Sequence, residues 1–317
     1  MGRFLPRMNS LVSTPPNISM KRNANQIINI IAIIGFICCT LALLYPVISD
    51  TWNRYVDSKR IAEYATETTG DNAEVKEAYD RAIKYNEELG NSVTQVVTTQ
   101  EYIKSEAYDS LLNLSDDGMM GYLEIPCIDV TEGIYHYTTE KVLANGIGHI
   151  HGSSLPVGGE NSHAVLTGHR GLPSQKFLSD LDKMNIGDTF YIHVLGRTLA
   201  YKVCQIDTVL PSEVESLKIE KNRDLVTLVT CTPYGVNTHR LLVTGERIPF
   251  DESNVNDNGL VTTEQHTRQY DPALIIFFSF MLIILMMGIT SVIRKHRPGN
   301  KIVYWEDFAD IHHSSGG

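Results

Sequence analysis

Residues 224–235 read Asp-Leu-Val-Thr-Leu-Val-Thr-Cys-Thr-Pro-Tyr-Gly, and residues 239–245 follow as His-Arg-Leu-Leu-Val-Thr-Gly. Leu225 to Val229 is β-branched and apolar enough to predict a strand buried on both faces. Pro233 and Gly235 end it, and Leu241 to Thr244 begins another. Cys231 therefore falls at the end of a buried strand, just before a turn. A side chain so placed is held rigidly at a surface, where a nucleophile is wanted. The same place also suits a small hydrophobe that caps a strand, and this stretch alone does not separate the two.

Working outward, the same β pattern recurs from Met120. Gly121–Ile125, Gly133–Tyr137, Ser162–Thr167, Thr189–Leu195, Thr198–Val209, Leu225–Thr230 and Leu241–Arg247 are the predicted strands. Only Ser174–Met184 reads as helix among them, with Phe177, Leu178, Leu181 and Met184 at helical spacing. Short strands with Gly/Pro punctuation predict a mainly β domain of about 130 residues, a closed barrel or sandwich. Ahead of it, Trp52, Tyr55, Val56, Ile61 and Tyr64 predict a helix ending near Gly70. Asp71 is the expected cap of a second helix, with Val75, Ala78, Tyr79, Ala82, Ile83 and Leu89 on one face and Gly90 as its stop. Asn91–Glu106 is polar and without a clear period, a loop suited to lie over the domain.

Two lipid-length runs frame the chain. Ile27–Ile48 and Ala273–Ile293 are each long enough to cross a hydrocarbon core of about 30 Å. Arg3, Arg7, Lys21 and Arg22 precede the first, while Arg294, Lys295, Arg297 and Lys301 follow the second. The positive-inside rule then predicts a two-pass protein with both termini cytoplasmic and the intervening domain outside. A cleaved signal peptide is the alternative for the first run, although no A-x-A site follows it.

Composition narrows the function classes. The 317 residues are 43% hydrophobic and 20% charged, which indicates a globular chain. A formal net charge of -10 with no basic stripe argues against a nucleic-acid partner. The five cysteines (Cys38, Cys39, Cys127, Cys204, Cys231) form no CxxC pair. Cys127 and Cys204 either pair or stay free. His149 and His151 flank one residue in a Gly-rich loop, but no third and fourth ligand follows at a zinc spacing, so no metal or cofactor is expected.

A nucleophilic Cys231 needs a base and a charge acceptor. His169 follows the strand ending at Thr167 and precedes the turn Arg170-Gly171-Leu172-Pro173. His169 and Cys231 thus both sit at strand ends before turns, where a barrel brings them to one rim. Arg240 starts the returning strand, where a hairpin places it beside the thiol to stabilise an oxyanion. Each residue singly also fits an ordinary structural role.

Together these residues resemble a known family. Thr227-Leu228-Val229-Thr230-Cys231 is similar to the TLxTC signature of sortases, the cysteine transpeptidases of Gram-positive surfaces. Thr167-Gly168-His169-Arg170-Gly171 resembles their catalytic histidine segment, and Arg240 stands where they carry an essential arginine. The runs Gly152–Gly159 and Thr232–Leu241 resemble class C, the pilin-polymerising sortases, in which a C-terminal membrane helix is usual.

The resemblance implies a closed sortase-type β-barrel over 119–250. It would be preceded by helices and a possible lid over 50–118, and followed by a linker over 251–272. Membrane helices would lie at 27–48 and 273–293, with cytoplasmic segments at 1–26 and 294–317. It implies cleavage of an LPxTG-like signal between Thr and Gly through a thioacyl enzyme on Cys231, with His169 and Arg240 as partners. Transfer would go to a pilin lysine or a peptidoglycan amine, at the cell membrane.

Leu228, Thr230, Thr232, Ser153 and Leu155 are the expected substrate-contacting residues. One departure stands out: the Asp-Pro-Trp or Asp-Pro-Phe lid motif of class C is missing, since the only Asp-Pro is Asp271-Pro272. A thiol hydrolase, a cell-wall anchoring enzyme, a silent binding module and a metal-binding receptor are the competing readings.

Overall fold

The structure is a computed structural model. It describes residues 18–70, 72–92, 105–115, 117–172, 175–250, 280–281 and 284–289. The chain divides into two compact units, one of residues 1–43 with 270–317 and the other Leu44–Gln269.

In the second unit, eight strands close into a barrel: β1 (Met119–Ile125), β2 (Val130–His136), β3 (Ile147–His149), β4 (Ser162–Thr167), β5 (Thr189–Val194), β6 (Arg197–Val209), β7 (Asp224–Thr232) and β8 (His239–Ile248). Their order around the barrel is β1-β2-β3-β4-β7-β8-β6-β5. Pairs β2/β3 and β4/β7 are parallel and the rest antiparallel. Side chains alternate across each strand, and the inward set (Leu123, Ile134, Leu166, Val226, Leu228, Val243 and others) forms the main core. Seven strands were expected; β3 is the addition.

Among the described residues, two long α-helices precede the barrel, α1 (Ile18–Thr68) and α2 (Ala73–Gly90), followed by one helical turn at Glu106–Asp109. The first apolar run and the helix expected to end near Gly70 are thus one element, and it holds the membrane-length helix found among the described residues. Of the second apolar run, residues 280, 281 and 284–289 are helical, and the remainder lies outside the described residues.

The cap of α2 is Asn72, whose side chain accepts from Glu74 N–H, in place of the expected Asp71. Val75, Ala78 and Ala82 bury the predicted face in the core. Asn86 completes that face with polar bonds. Its amide donates to Leu155 O (3.0 Å) and Gly158 O (3.3 Å) and accepts from Leu155 N (2.7 Å).

The expected helix over Ser174–Met184 does not form. Described residues there make turns and a short 3-10 turn at Leu181–Lys183. The polar groups that a helix would satisfy internally bond elsewhere: Leu178 N–H donates to His169 O and Lys176 N–H to Asp50 Oδ1. Phe177 adopts φ +40°, outside the helical region.

Candidate active site

The site grows from two parallel strands. Val165 and Thr167 of β4 pair with Thr227 and Val229 of β7. Beyond the last pair, Gly168 N–H donates to Val229 O (3.1 Å), and Thr230 Oγ1 donates to Gly168 O (2.9 Å). This register carries His169 to the level of Cys231. On the other side of β7, Cys231 pairs directly with Arg240 of β8 and Val229 with Leu242. Directly opposed residues project to one face, so thiol and guanidinium share the outer face of the wall.

His169, Cys231 and Arg240 all line one cleft of about 550 Å³. Its floor is the apolar patch of Ile150, Leu217, Val229 and Leu242 on the outside of the barrel, packed together with Val165. Its far side is the crossover from β6 to β7, with Leu210, Pro211, Ser212, Glu213 and Val214. All three candidate catalytic residues are half-buried. One Arg240 Nη donates to Asn237 O (3.2 Å) and His239 O (3.1 Å), so the turn itself aims the fork.

The expected substrate-contacting residues do not line this cleft. Leu228 and Thr230 have the opposite parity to Cys231, and both are buried away from the cleft. Leu155 is fully buried in the core and Ser153 is buried beside His149. Thr232 is half-buried and accepts from an Arg170 Nη (3.0 Å), but it does not line the cleft.

The Gly152–Gly159 loop is committed to internal structure. His149 takes Tyr108 Oη on Nδ1 and lies 2.7 Å from Ser154 O through Nε2. Tyr108 sits in the four-residue helix α3 (Glu106–Asp109), among the rings of His136, Tyr137, His149 and His151. Burial drives the His149 imidazole down to about 3, so it is neutral at physiological pH. The two-histidine loop is thereby engaged in packing. Of the suggested lid Asn91–Glu106, residues 93–104 lie outside the described residues.

Arg170 is a residue that the sequence reading passed over. Its side chain is only 7% exposed. It pairs with Asp182, donates to Thr232 and lies 5.9 Å from the Tyr234 ring centroid. It is thus a strut between the residue after His169 and the residue after Cys231. The neighbouring Gly171, at φ +81°, leaves room for Tyr234; an added Cβ would meet that ring at 3.0 Å. Cys127 is half-buried and Cys204 exposed, and both are free thiols.

Comparison with known proteins follows the same outline. A Sortase domain family model matches residues 123–248. Sortase C1 of Streptococcus agalactiae is 39% identical, with 62% of this chain and 99% of that chain covered at a TM-score of 0.57. Sortase C of Streptococcus pneumoniae is 44% identical, with coverages of 61% and 97% and a TM-score of 0.56. Sortase A of Bacillus anthracis is 25% identical over 136 residues, 43% of this chain. The chain spans 63% of that curated relative's length, less than two thirds.

Proposed function

The chain belongs to the sortase family, and on that premise we propose that it is a membrane-anchored class C transpeptidase working through Cys231, His169 and Arg240. The observation that supports this most is the shared cleft, with Cys231 and Arg240 opposed across one hairpin.

The Cys231 thiolate attacks the carbonyl carbon of the threonine in an LPxTG-like signal. A C–S bond forms as the carbonyl π pair moves onto oxygen. Arg240, with backbone N–H groups near Thr232, receives that oxyanion. Collapse breaks the C–N bond, and a His169 imidazolium gives its proton to the departing glycine amine. The thioester then meets an amine; neutral His169 takes the amine's proton as the new amide forms and the thiolate leaves.

The apolar wall of Leu210, Val214, Leu217, Val229 and Leu242 suits the leucine and proline of such a signal. A pilin lysine is the proposed acceptor, in keeping with the pilin substrate specificity of the Streptococcus pneumoniae relative. The proposed topology is two-pass, with the barrel outside the cell and both termini cytoplasmic. The test is to incubate the enzyme with an LPxTG-like peptide, with and without a lysine-bearing acceptor peptide. A branched amide product supports the reading, whereas free acid under both conditions makes the protein a hydrolase.

A further inference from the structure

Strand direction gives the barrel two ends. β4 and β7 run parallel and finish at the end that carries His169 and Cys231, and β8 starts there. Following the antiparallel pairs β8/β6, β6/β5, β5/β1 and β1/β2, strands β6 and β1 also finish at that end, while β5 and β2 start there. The connections at the catalytic end are therefore residues 126–129, 168–188 and 233–238, with the β6–β7 crossover leaving at Leu210.

Helix α1 is laid along the barrel in a fixed direction. Asp50 Oδ1 accepts from Lys176 N–H (3.0 Å), Arg54 pairs with Asp129 (2.9 Å), and Asp57 Oδ2 accepts from Gln175 Nε2 (2.6 Å). All three partners lie in the catalytic-end connections. Further along, Tyr64 Oη donates to Met120 O (2.8 Å) and accepts from Leu195 N–H (3.0 Å). Met120 is the second residue of β1 and Leu195 lies in the β5–β6 hairpin, both at the opposite end. Traced backwards, α1 leaves the barrel past its catalytic end, and there the apolar run closes at Ile48.

The side of α1 turned away from the barrel carries Tyr45, Ile48, Trp52 and Tyr55, at alternating steps of three and four residues, and all four are exposed. Such a spacing makes one stripe along a helix. Trp52 stands about 6 Å beyond Ile48 along the axis, within the headgroup layer that flanks the hydrocarbon core. Lys59 follows on the same stripe, its ammonium 4.6 Å from the Tyr55 ring centroid, a combination suited to an interface.

The barrel supplies an independent observation. Among the described residues from 117 to 250, the exposed large hydrophobic side chains are Ile186 (70%), Leu210, Tyr234 and Val236 (64%). All four lie in connections at the catalytic end; the opposite end carries none.

We propose that the catalytic end of the barrel rests on the phospholipid headgroup layer, with Tyr45, Ile48, Trp52 and Tyr55 of α1 and Ile186, Tyr234 and Val236 of the rim as the contact. This rests on reading Ile27–Ile48 as a membrane span. It places the cleft at the bilayer surface, where a substrate that is itself held in the membrane presents the peptide next to its own anchor.

The test uses the full chain in nanodiscs, with one copy per disc. The chain has two tryptophans, so Trp305→Phe leaves Trp52 as a probe. On a Trp52→Phe, Trp305→Phe background, Ile186→Trp and Val236→Trp probe the catalytic end and Glu160→Trp the opposite end. Each variant is first checked for an unchanged unfolding midpoint. Phospholipids brominated near the headgroup are expected to quench the probes at 52, 186 and 236, which lose acrylamide quenching, while the probe at 160 behaves in the opposite way.

Quenching at 52 alone, with 186 and 236 open to acrylamide, overturns the proposal. So does protection at 186 and 236 without bromolipid quenching, which assigns the rim to a second copy of the chain when discs holding two copies show it. Cys231→Ala leaves the expected pattern unchanged, so failure of the catalytic reading is distinguishable from failure of this one.

Discussion

Cys231 and Arg240 are direct cross-strand partners on β7 and β8. The thiol and the guanidinium therefore occupy one face of one wall, without any long-range loop to hold them together.

That relationship predicts how Arg240 fails. Its fork is held by backbone carbonyls of its own turn and the side chain is half-buried, so the fold hardly depends on it. Arg240→Ala is expected to keep the unfolding midpoint and lower kcat by about 10²–10³, the usual effect of losing one oxyanion donor. Arg240→Lys keeps the charge but not the fork, and is expected to recover only part of the rate in the same transpeptidation assay.

Parity along β7 separates stability from binding. Leu228 is fully buried inside the barrel, so Leu228→Ala is expected to cost about 2–5 kcal/mol with little change in KM for the folded fraction. Leu210 is exposed and lines the cleft. Leu210→Ser is expected to raise KM with the midpoint unchanged. Denaturant titration paired with steady-state kinetics reads both.

Arg170 ties the chain beside His169 to the chain beside Cys231 through Thr232. Arg170→Gln leaves Asp182 without its partner and frees Thr232, so kcat should fall by about tenfold or more, as misplacement of reacting groups predicts, with KM little affected. The double variant Arg170→Gln, Asp182→Asn separates the lost charge pair from the lost strut: the unfolding midpoint recovers in part and kcat does not.

The clamp between α1 and the barrel is expected to weaken as pH rises. Burial, then the neighbouring Asp57 carboxylate, push the Glu132 carboxyl up to about 8. Burial also raises Asp57, and Gln175 donates to both. A carboxyl that holds its proton more tightly when folded stabilises the fold at low pH and loses that contribution as pH rises through its folded value. His149, pulled down to about 3 by burial, has the opposite slope, but that ends near the ordinary imidazole value. Between about pH 6.5 and 8, the unfolding midpoint is therefore expected to decline, and Glu132→Gln to flatten the decline.

How much of this was legible follows from where each element gets its order. Seven strands were readable because alternation and Gly/Pro breaks are local; β3 was not, because three residues, Ile147-Gly148-His149, carry no period and pair only through β2 and β4. The helix expected at Ser174–Met184 had the spacing, but Asp50 of α1 and the carbonyl of His169 draw its backbone groups away.

Strand ends and a hairpin made Cys231, His169 and Arg240 candidates, but each also fitted a structural role until the resemblance to the sortase motifs singled the three out together. The cleft wall did not stand out, since Leu210–Leu217 has no motif and only the crossover between β6 and β7 lays it beside Cys231. Yet one signal was available: counting by twos from Cys231 selects Val229 and rejects Leu228 and Thr230.

The most direct test of the account is the intact mass of the enzyme during turnover of an LPxTG-like peptide. The expected result is a species heavier by the acyl fragment through threonine, mapped to Cys231, released by hydroxylamine and missing in Cys231→Ala. An adduct on another residue, or cleavage that persists in Cys231→Ala, would contradict it.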